Sequence, residues 1–229
     1  MKLTGFAFGI RIVKSFSIED KLGAIIDEIL YSDKSEFNEK IFTDLNENHN
    51  TKVLFNRNVE GNRFTITPRD FIFDYNIQNS FDSEYQKYLD SYVEVITKRI
   101  FSNFKINNIA RFGFIIKSDL DDKDQLLQEV SEIIKKHKGM DDSLSLRFNV
   151  VTKKPLKMNN DFITEDYDNE IITYNKQNPT SPLSFSVDYQ KYFKPELNII
   201  DDATQDFATF CNNALNSFKT TYLKSENNG

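Results

Sequence analysis

The sequence predicts an α+β protein: two βαβββα repeats related by a pseudo-two-fold, with mainly antiparallel sheets and two helices covering each. Three observations lead there. Strand-like alternation and helix-like stripes recur in the same order in both halves of the chain. Phe8-Gly9-Ile10-Arg11-Ile12-Val13-Lys14-Ser15 resembles Phe112-Gly113-Phe114-Ile115-Ile116-Lys117-Ser118 with one gap, and each leads into a capped helix. Further on, Phe71-Ile72-Phe73-Asp74-Tyr75 resembles Phe185-Ser186-Val187-Asp188-Tyr189. Carried forward without gaps, this match sets Val93, Ile96, Ile100, Phe101 and Phe104 on Phe207, Phe210, Ala214, Leu215 and Phe218. The expected boundaries are residues 1–105 for the first unit, 106–223 for the second, and a fraying tail at 224–229, with one core shared between the units. Joining the halves sheet edge to edge or face to face would remove exposed strand edges.

Taken in order, Leu3 to Phe16 reads as a strand with Phe6, Phe8, Ile10 and Ile12 on one face. Ser17, with Asp20 three residues on, resembles a capping box, and Leu22, Ile25, Ile26 and Ile29 then form an apolar helical stripe. Ser32 to Asn50 is polar and reads as a loop with one amphipathic turn near Phe37 and Ile41. A hairpin follows, Val53 to Asn58 and Phe64 to Thr67, turning at Gly61, and Pro68 precedes a strand from Asp70 to Ile77. The longest helix spans Phe81 to Phe104, with Tyr85, Tyr88, Leu89, Tyr92, Val93, Ile96 and Ile100 inward. The second half repeats this: a strand at Ile109 to Ser118, a helix capped by Asp121 or Asp122 and ending near Gly139, and a strand at Leu144 to Thr152. Short strands near Asp161 to Thr164 and Glu170 to Tyr174 precede one from Leu183 to Tyr189. After Pro195, a last helix spans Asp201 to Tyr222 and buries Phe207, Phe210, Cys211, Ala214, Leu215 and Phe218.

Composition narrows the function. With 21 Phe and 10 Tyr among 229 residues, the chain carries enough apolar area to build a core. Its net charge of −6 argues against general attraction to nucleic acid or an anionic membrane. The single cysteine, Cys211, excludes an intramolecular disulfide and fits a reducing compartment. No apolar run approaches the length of a membrane span, and Arg11 and Lys14 interrupt anything like a leader, so a cytoplasmic location is expected. Abundant Lys, Asn, Ile and Phe suggest a low-GC bacterial or phage source.

Chemistry is sparse. The glycines form no phosphate-cradling loop, so no nucleotide cofactor is expected, nor any other. His49 and His137 have no pairing spacing; His137 beside Lys135, Lys136 and Lys138 suits a helix C-terminus. Asp119, Asp121 and Asp122, with Asp124, form an acidic cluster suited to a hard divalent cation, although carboxylates at a helix start are also ordinary caps. Asp74 and Asp188 recur at matched places and fit either a symmetric site or strand-end caps. Lys153, Lys154 and Lys157 form a basic turn where nucleic acid could bind, and Tyr85, Tyr88 and Tyr92 could stack on bases, but at helical spacing aromatics belong to a core.

The order of elements, the strand Ile109-Ala110-Arg111-Phe112-Gly113-Phe114-Ile115 after a Tyr-rich helix, and Val187-Asp188-Tyr189 followed by a long helix with Phe218 resemble a sporadically distributed bacterial family of α+β proteins without an assigned activity. The resemblance implies a similar fold and nothing about catalysis. The expected role is therefore a non-enzymatic interaction protein, its expected source a phage, mobile element or defence locus, whose partner is another protein or a second copy of the chain, as in a homodimer. A nucleic-acid-binding module and a metal-dependent hydrolase are the alternatives.

Overall fold

Alternation of large apolar and small or polar residues makes residues 2–12 and 109–120 two long strands, and their pairing is the seam of a single sheet. The structure is a computed structural model, and the residues it describes are 1–13, 15, 17–33, 36–37, 41–45, 52–56, 62–106, 108–120, 126, 128, 132, 144–153, 157–159, 162–164, 167–176, 181–197 and 202–223. The strands are β1 (Lys2–Ile12), β2 (Ile41–Leu45), β3 (Lys52–Asn56), β4 (Arg63–Ile66), β5 (Asp70–Asn76), β6 (Ile109–Leu120), β7 (Leu144–Lys153), β8 (Lys157–Asn159), β9 (Phe162–Thr164), β10 (Tyr167–Lys176) and β11 (Leu183–Leu197). The helices are α1 (Ser17–Asp20), α2 (Leu22–Tyr31), α3 (Phe81–Tyr92), a π-helical stretch Val93–Ile100, α4 (Phe101–Asn103) and α5 (Asp202–Tyr222).

Nine strands form one sheet in the order β2-β3-β4-β5-β1-β6-β11-β10-β7, and each neighbouring pair is antiparallel. Of the two ways of joining the halves that the sequence leaves open, edge to edge or face to face, the structure has the first: β1 pairs with β6 and both halves share one sheet. Gly9 faces Gly113 at the middle of that seam, and Arg11 faces Arg111. β8 and β9 make a separate two-stranded sheet.

Three readings of the sequence need correction. Part of the expected loop after Ser32 is the edge strand β2: Ile41 and Phe42 pair with Asn56 and Phe55, a long-range partnership that polar local composition hides. The last strand, expected to end at Tyr189, continues as β11 through Pro195 to Leu197, with Pro195 inside the register irregularity between Tyr192 and Leu197. Ser17 lies inside a one-turn helix instead of capping a long one, and α2 begins after Lys21. Of the helix expected after Asp121 or Asp122, positions 126, 128 and 132 are described and are helical; His49, His137, Gly61 and the tail lie outside the described residues.

The core lies between the sheet and the helices. Phe6, Phe8, Ile10, Ile12, Phe112, Phe114 and Ile116 meet Tyr85, Tyr88, Tyr92, Phe207 and Phe218 in one buried cluster that draws on both halves of the chain. The three helix tyrosines are core residues, so they are not a base-stacking surface. Tyr92 donates its hydroxyl hydrogen to the Phe71 carbonyl, which satisfies both groups out of contact with water.

The long helix departs from the regular one that its spacing predicts. The π-helical stretch puts an extra residue in the turn, as when the Phe101 N–H reaches back to the Ile96 carbonyl. Its buried positions become Val95, Ile96, Thr97 and Ile100, while Val93, expected inward, is half-buried. The helix ends without a glycine. Ile106 N–H bonds the Phe101 carbonyl and Lys105 N–H bonds the Ser102 carbonyl, the paired bonds of a Schellman motif, and Lys105 takes the positive φ of 52° that glycine usually supplies. Ile106 and Phe101 are both buried beside this stop.

Candidate functional site

The helix-facing side of the sheet is apolar along β1, β5 and β6, where Phe, Ile and Tyr alternate inward. It changes character at one place in β10 and β11. Phe185 and Val187 continue the apolar stripe, but Tyr189 and Lys191 follow, paired directly with Glu170 and Asp168 of β10. On α5 above them, Asp206, Thr209, Asn213 and Ser217 fall at three- and four-residue spacings, so they share one helical face beside the buried stripe of Phe207, Cys211, Ala214 and Phe218. The two polar rows enclose a cleft of about 320 Å³ that also takes in Phe210 and Ala214.

Local contacts fix this cleft. Tyr222 donates its hydroxyl hydrogen to Glu170 Oε1 at 2.9 Å, which ties the end of α5 to β10. Tyr85 on α3 donates to Asn212 Oδ1 at 2.8 Å, and Lys219 pairs with Asp82 at 2.7 Å, so α5 is held from its other flank too. Tyr189 is 9% exposed; its hydroxyl stands near Ser217 without a hydrogen bond of sound geometry. Lys191 Nζ lies over the Phe193 ring, 5.2 Å from its centroid.

On the opposite side of the sheet lies a connected polar network. Arg111 Nη1 donates to the Tyr192 hydroxyl at 3.3 Å, Tyr192 donates to Gln190 Oε1 at 2.8 Å, and Asn169 Nδ2 donates to the same oxygen at 3.0 Å. Gln190 Nε2 donates in turn to Asp188. Across the seam, Arg11 binds Asp70 through Nε and Nη2, a fork that raises the guanidinium's pKa through its hydrogen bond. Asp74 accepts from Lys117 and Arg63.

These contacts bear on the residues singled out in the sequence. Asp74 and Asp188 share a cross-strand row, Asp74–Ala7–Ile115–Asp188, with β1 and β6 between them. At the usual strand spacing that separates them by about 14 Å, so they do not form a carboxylate pair, and each is engaged locally. Asp119 belongs to β6, where it pairs with Lys2 and Ser184, and is not part of a helix cap; Asp121 and Asp122 lie outside the described residues. Lys153 ends β7 opposite Tyr167, Lys157 sits in β8 opposite Thr164, and Lys154 lies outside the described residues. Among the described residues no group of three or more His, Cys, Asp or Glu side chains is placed to hold a metal. Cys211 is buried, and burial pushes its thiol pKa up, away from nucleophilic use. Sequence reading missed the cleft because its walls come from three separate elements, β10, β11 and α5, which only the fold brings together. A signal did exist: the polar series Asp206, Thr209, Asn213 and Ser217 beside an apolar stripe.

Burial raises the pKa of the phenols of Tyr85, Tyr92, Tyr189 and Tyr222 above the ordinary value of 10.0, and the hydrogen bond to Glu170 adds to the rise at Tyr222. The unfolded chain therefore releases these protons at lower pH than the folded one. Their stabilising contribution is whole below pH 10 and declines as pH rises beyond it. The urea midpoint should fall between about pH 9 and pH 11, and less steeply in Tyr222→Phe. A midpoint unmoved over that interval would show that the phenols titrate alike in both states.

The fold and cleft define a mixed α+β protein with a predominantly antiparallel sheet, helices packed on it, and a polar recess alongside its last helix. No helix among the described residues is long and apolar enough to cross a membrane. No family model and no curated protein matches the chain. Among solved structures, the chain is similar to the rolling circle replication initiator protein from Geobacillus stearothermophilus, with a TM-score of 0.35 and 7% identity over 96% of this chain and 85% of that one.

Proposed function

We propose that this chain is a binding protein that acts by contact with another macromolecule, and that the cleft between α5 and the β10–β11 pair is its recognition site. One observation carries the reading. The helix-facing side of the sheet is apolar elsewhere along the central strands, yet here four polar helix residues stand over Asp168, Glu170, Tyr189 and Lys191 around an open recess. Leaving polar side chains where an apolar stripe would seal the layer gives up buried area, and a concave recess with a few convergent polar groups is the usual form of a recognition site. The described residues bring no nucleophile–base pair together there, which favours recognition over covalent chemistry.

The test is affinity capture from the source cell with the wild-type chain and with Thr209→Trp, which fills the cleft from an exposed helix position. A protein retained by the wild type and lost with Thr209→Trp, before and after nuclease treatment, is the expected result. Retention unaffected by Thr209→Trp would place recognition elsewhere. Retention that vanishes with nuclease would favour nucleic acid, with Lys153, Lys154 and Lys157 the residues to substitute next.

We also infer that the halves, residues 1–105 and 106–223, descend from one duplicated βαβββα unit. In support, the strands leave the seam in like order, β1-β5-β4-β3 on one side and β6-β11-β10-β7 on the other. The matched glycines Gly9 and Gly113 face each other across the seam, as a two-fold between them requires. The strand register beyond the seam is less regular: Phe8 pairs with Phe73, while Phe112 pairs with Lys191, four residues beyond the position the local sequence match assigns. β2 extends only the first half. An experimental structure whose halves fail to superimpose would overturn the inference.

A further inference from the structure

We infer that the cleft accepts a cationic nitrogen group, an alkylammonium or guanidinium, with the chemistry of a lysine or arginine side chain or of a free polyamine; this rests on the cleft being the recognition site. The cavity sets the class. Among the described residues its walls bring three carboxylates, Asp168, Glu170 and Asp206, against one ammonium, Lys191, so the recess favours positive charge. Glu170 already accepts from the Tyr222 hydroxyl through Oε1, which orients the carboxylate and leaves Oε2 for a second donor. Thr209, Asn213 and Ser217 offer further oxygen acceptors at the rim. Phe210 supplies an aromatic wall, a surface on which a cation's methylene stem or guanidinium plane packs favourably. Beneath Ser217, the hydroxyl of Tyr189 lacks a well-formed hydrogen bond, so the floor holds one more polar group able to adjust to a donor.

Size fits the same class. A recess of about 320 Å³ is at the small end of ligand pockets, suited to one side chain or a short linear amine and too small for most of a folded surface. Among the described residues an anion would meet three carboxylates and one ammonium, Lys191, which itself lies against the Phe193 ring.

The experiment is calorimetric titration of the full chain with three probes: spermidine, the tripeptide Gly-Arg-Gly, and glutarate as the anionic control. Both cations should bind and glutarate should not, and affinity should fall about tenfold or more in Asp168→Asn/Glu170→Gln, because removing two charges weakens an exposed cation site by this order. Tighter binding of the peptide identifies a protein side chain as the source; tighter binding of spermidine identifies a free amine. Equal binding by wild type and double variant, or binding of glutarate alone, overturns the inference. A circular dichroism spectrum like that of the wild type shows the double variant folded; if it is not, Asp206→Asn, on the exposed face of α5, replaces it. If partner capture is lost with Thr209→Trp while neither cation binds the wild type, the recognition site stands and only its cationic ligand is wrong.

Discussion

Phe8→Ala should lower the unfolding free energy by about 3–5 kcal/mol, the range for emptying a fully buried aromatic site. Phe8 is 0% exposed and lies at the seam of the sheet, where five other rings surround it, Phe6 of the same strand at 5.1 Å among them. It stacks on Phe114 of the neighbouring strand at 5.4 Å and tilts against Tyr92 of α3 at 5.7 Å and Tyr85 at 5.9 Å, with Phe207 of α5 edge-on at 6.3 Å. The contacts therefore join β1 and β6 to the helices of both halves. With six rings meeting at this point, the surroundings can collapse only partly, so the cavity term adds to the lost transfer energy. A domain's total stability is about 5–15 kcal/mol, so the variant should be partly unfolded near physiological temperature. Urea unfolding followed by tyrosine fluorescence measures it. A loss below about 1 kcal/mol would mean the seam is not packed as described.

Gly5→Ala should cost about 1–3 kcal/mol, unusually much for one added methyl group in a strand. A Cβ built on Gly5 would stand 2.6 Å from the Tyr75 carbonyl oxygen, which is backbone and cannot swing aside. The pairing explains the crowding: Gly5 sits beside a register irregularity of β1 on β6 and faces Asn76 of β5. Gly9 and Gly113 are the contrast. A Cβ at Gly9 meets nothing closer than 3.7 Å and one at Gly113 nothing closer than 3.6 Å, so Gly9→Ala and Gly113→Ala should be neutral or stabilise by up to about 1 kcal/mol through lost unfolded-state entropy. Thermal unfolding of the three variants side by side checks this. A Gly5→Ala variant as stable as the other two would show that β1 and β5 are farther apart than described.

The cleft and the polar network face opposite sides of the same strands, and their different chemistry follows from period-two alternation. On β11, Tyr189 and Lys191 face α5, while Asp188, Gln190 and Tyr192 face away from it; Gln190 bonds to Asp188 and Asn169, and Tyr192 to Gln190 and Arg111. Gln190 is buried yet hydrogen-bonded three times, so it fixes the register of β10 on β11 instead of destabilising it.

Much of the fold was legible from local pattern. The inward residues of β1, β5 and β6 alternate without interruption, and the stripes of α2, α3 and α5 follow the helical period, so strands, helices and most core residues could be read directly. The failures share a cause. β2 is a strand because Phe42 and its neighbours have β3 beside them, and β11 runs through Pro195 in a stretch where its pairing to β6 is already broken. The end of the long helix was legible only approximately, because Lys105 takes a conformation that sequence assigns to glycine.

By itself, then, the sequence determined what is set by near neighbours along the chain: which residues alternate, which form stripes, and that Tyr85, Tyr88 and Tyr92 belong to a core. Only the tertiary structure decided that both halves share one sheet, that Asp74 and Asp188 have two strands between them and engage different partners, and that Asp206, Thr209, Asn213 and Ser217 stand over Asp168, Glu170 and Lys191. The reason is range. Burial stripes are written at spacings of two to four residues, whereas strand order and the meeting of polar rows depend on pairings between segments tens of residues apart, which the chain's local periodicity does not encode.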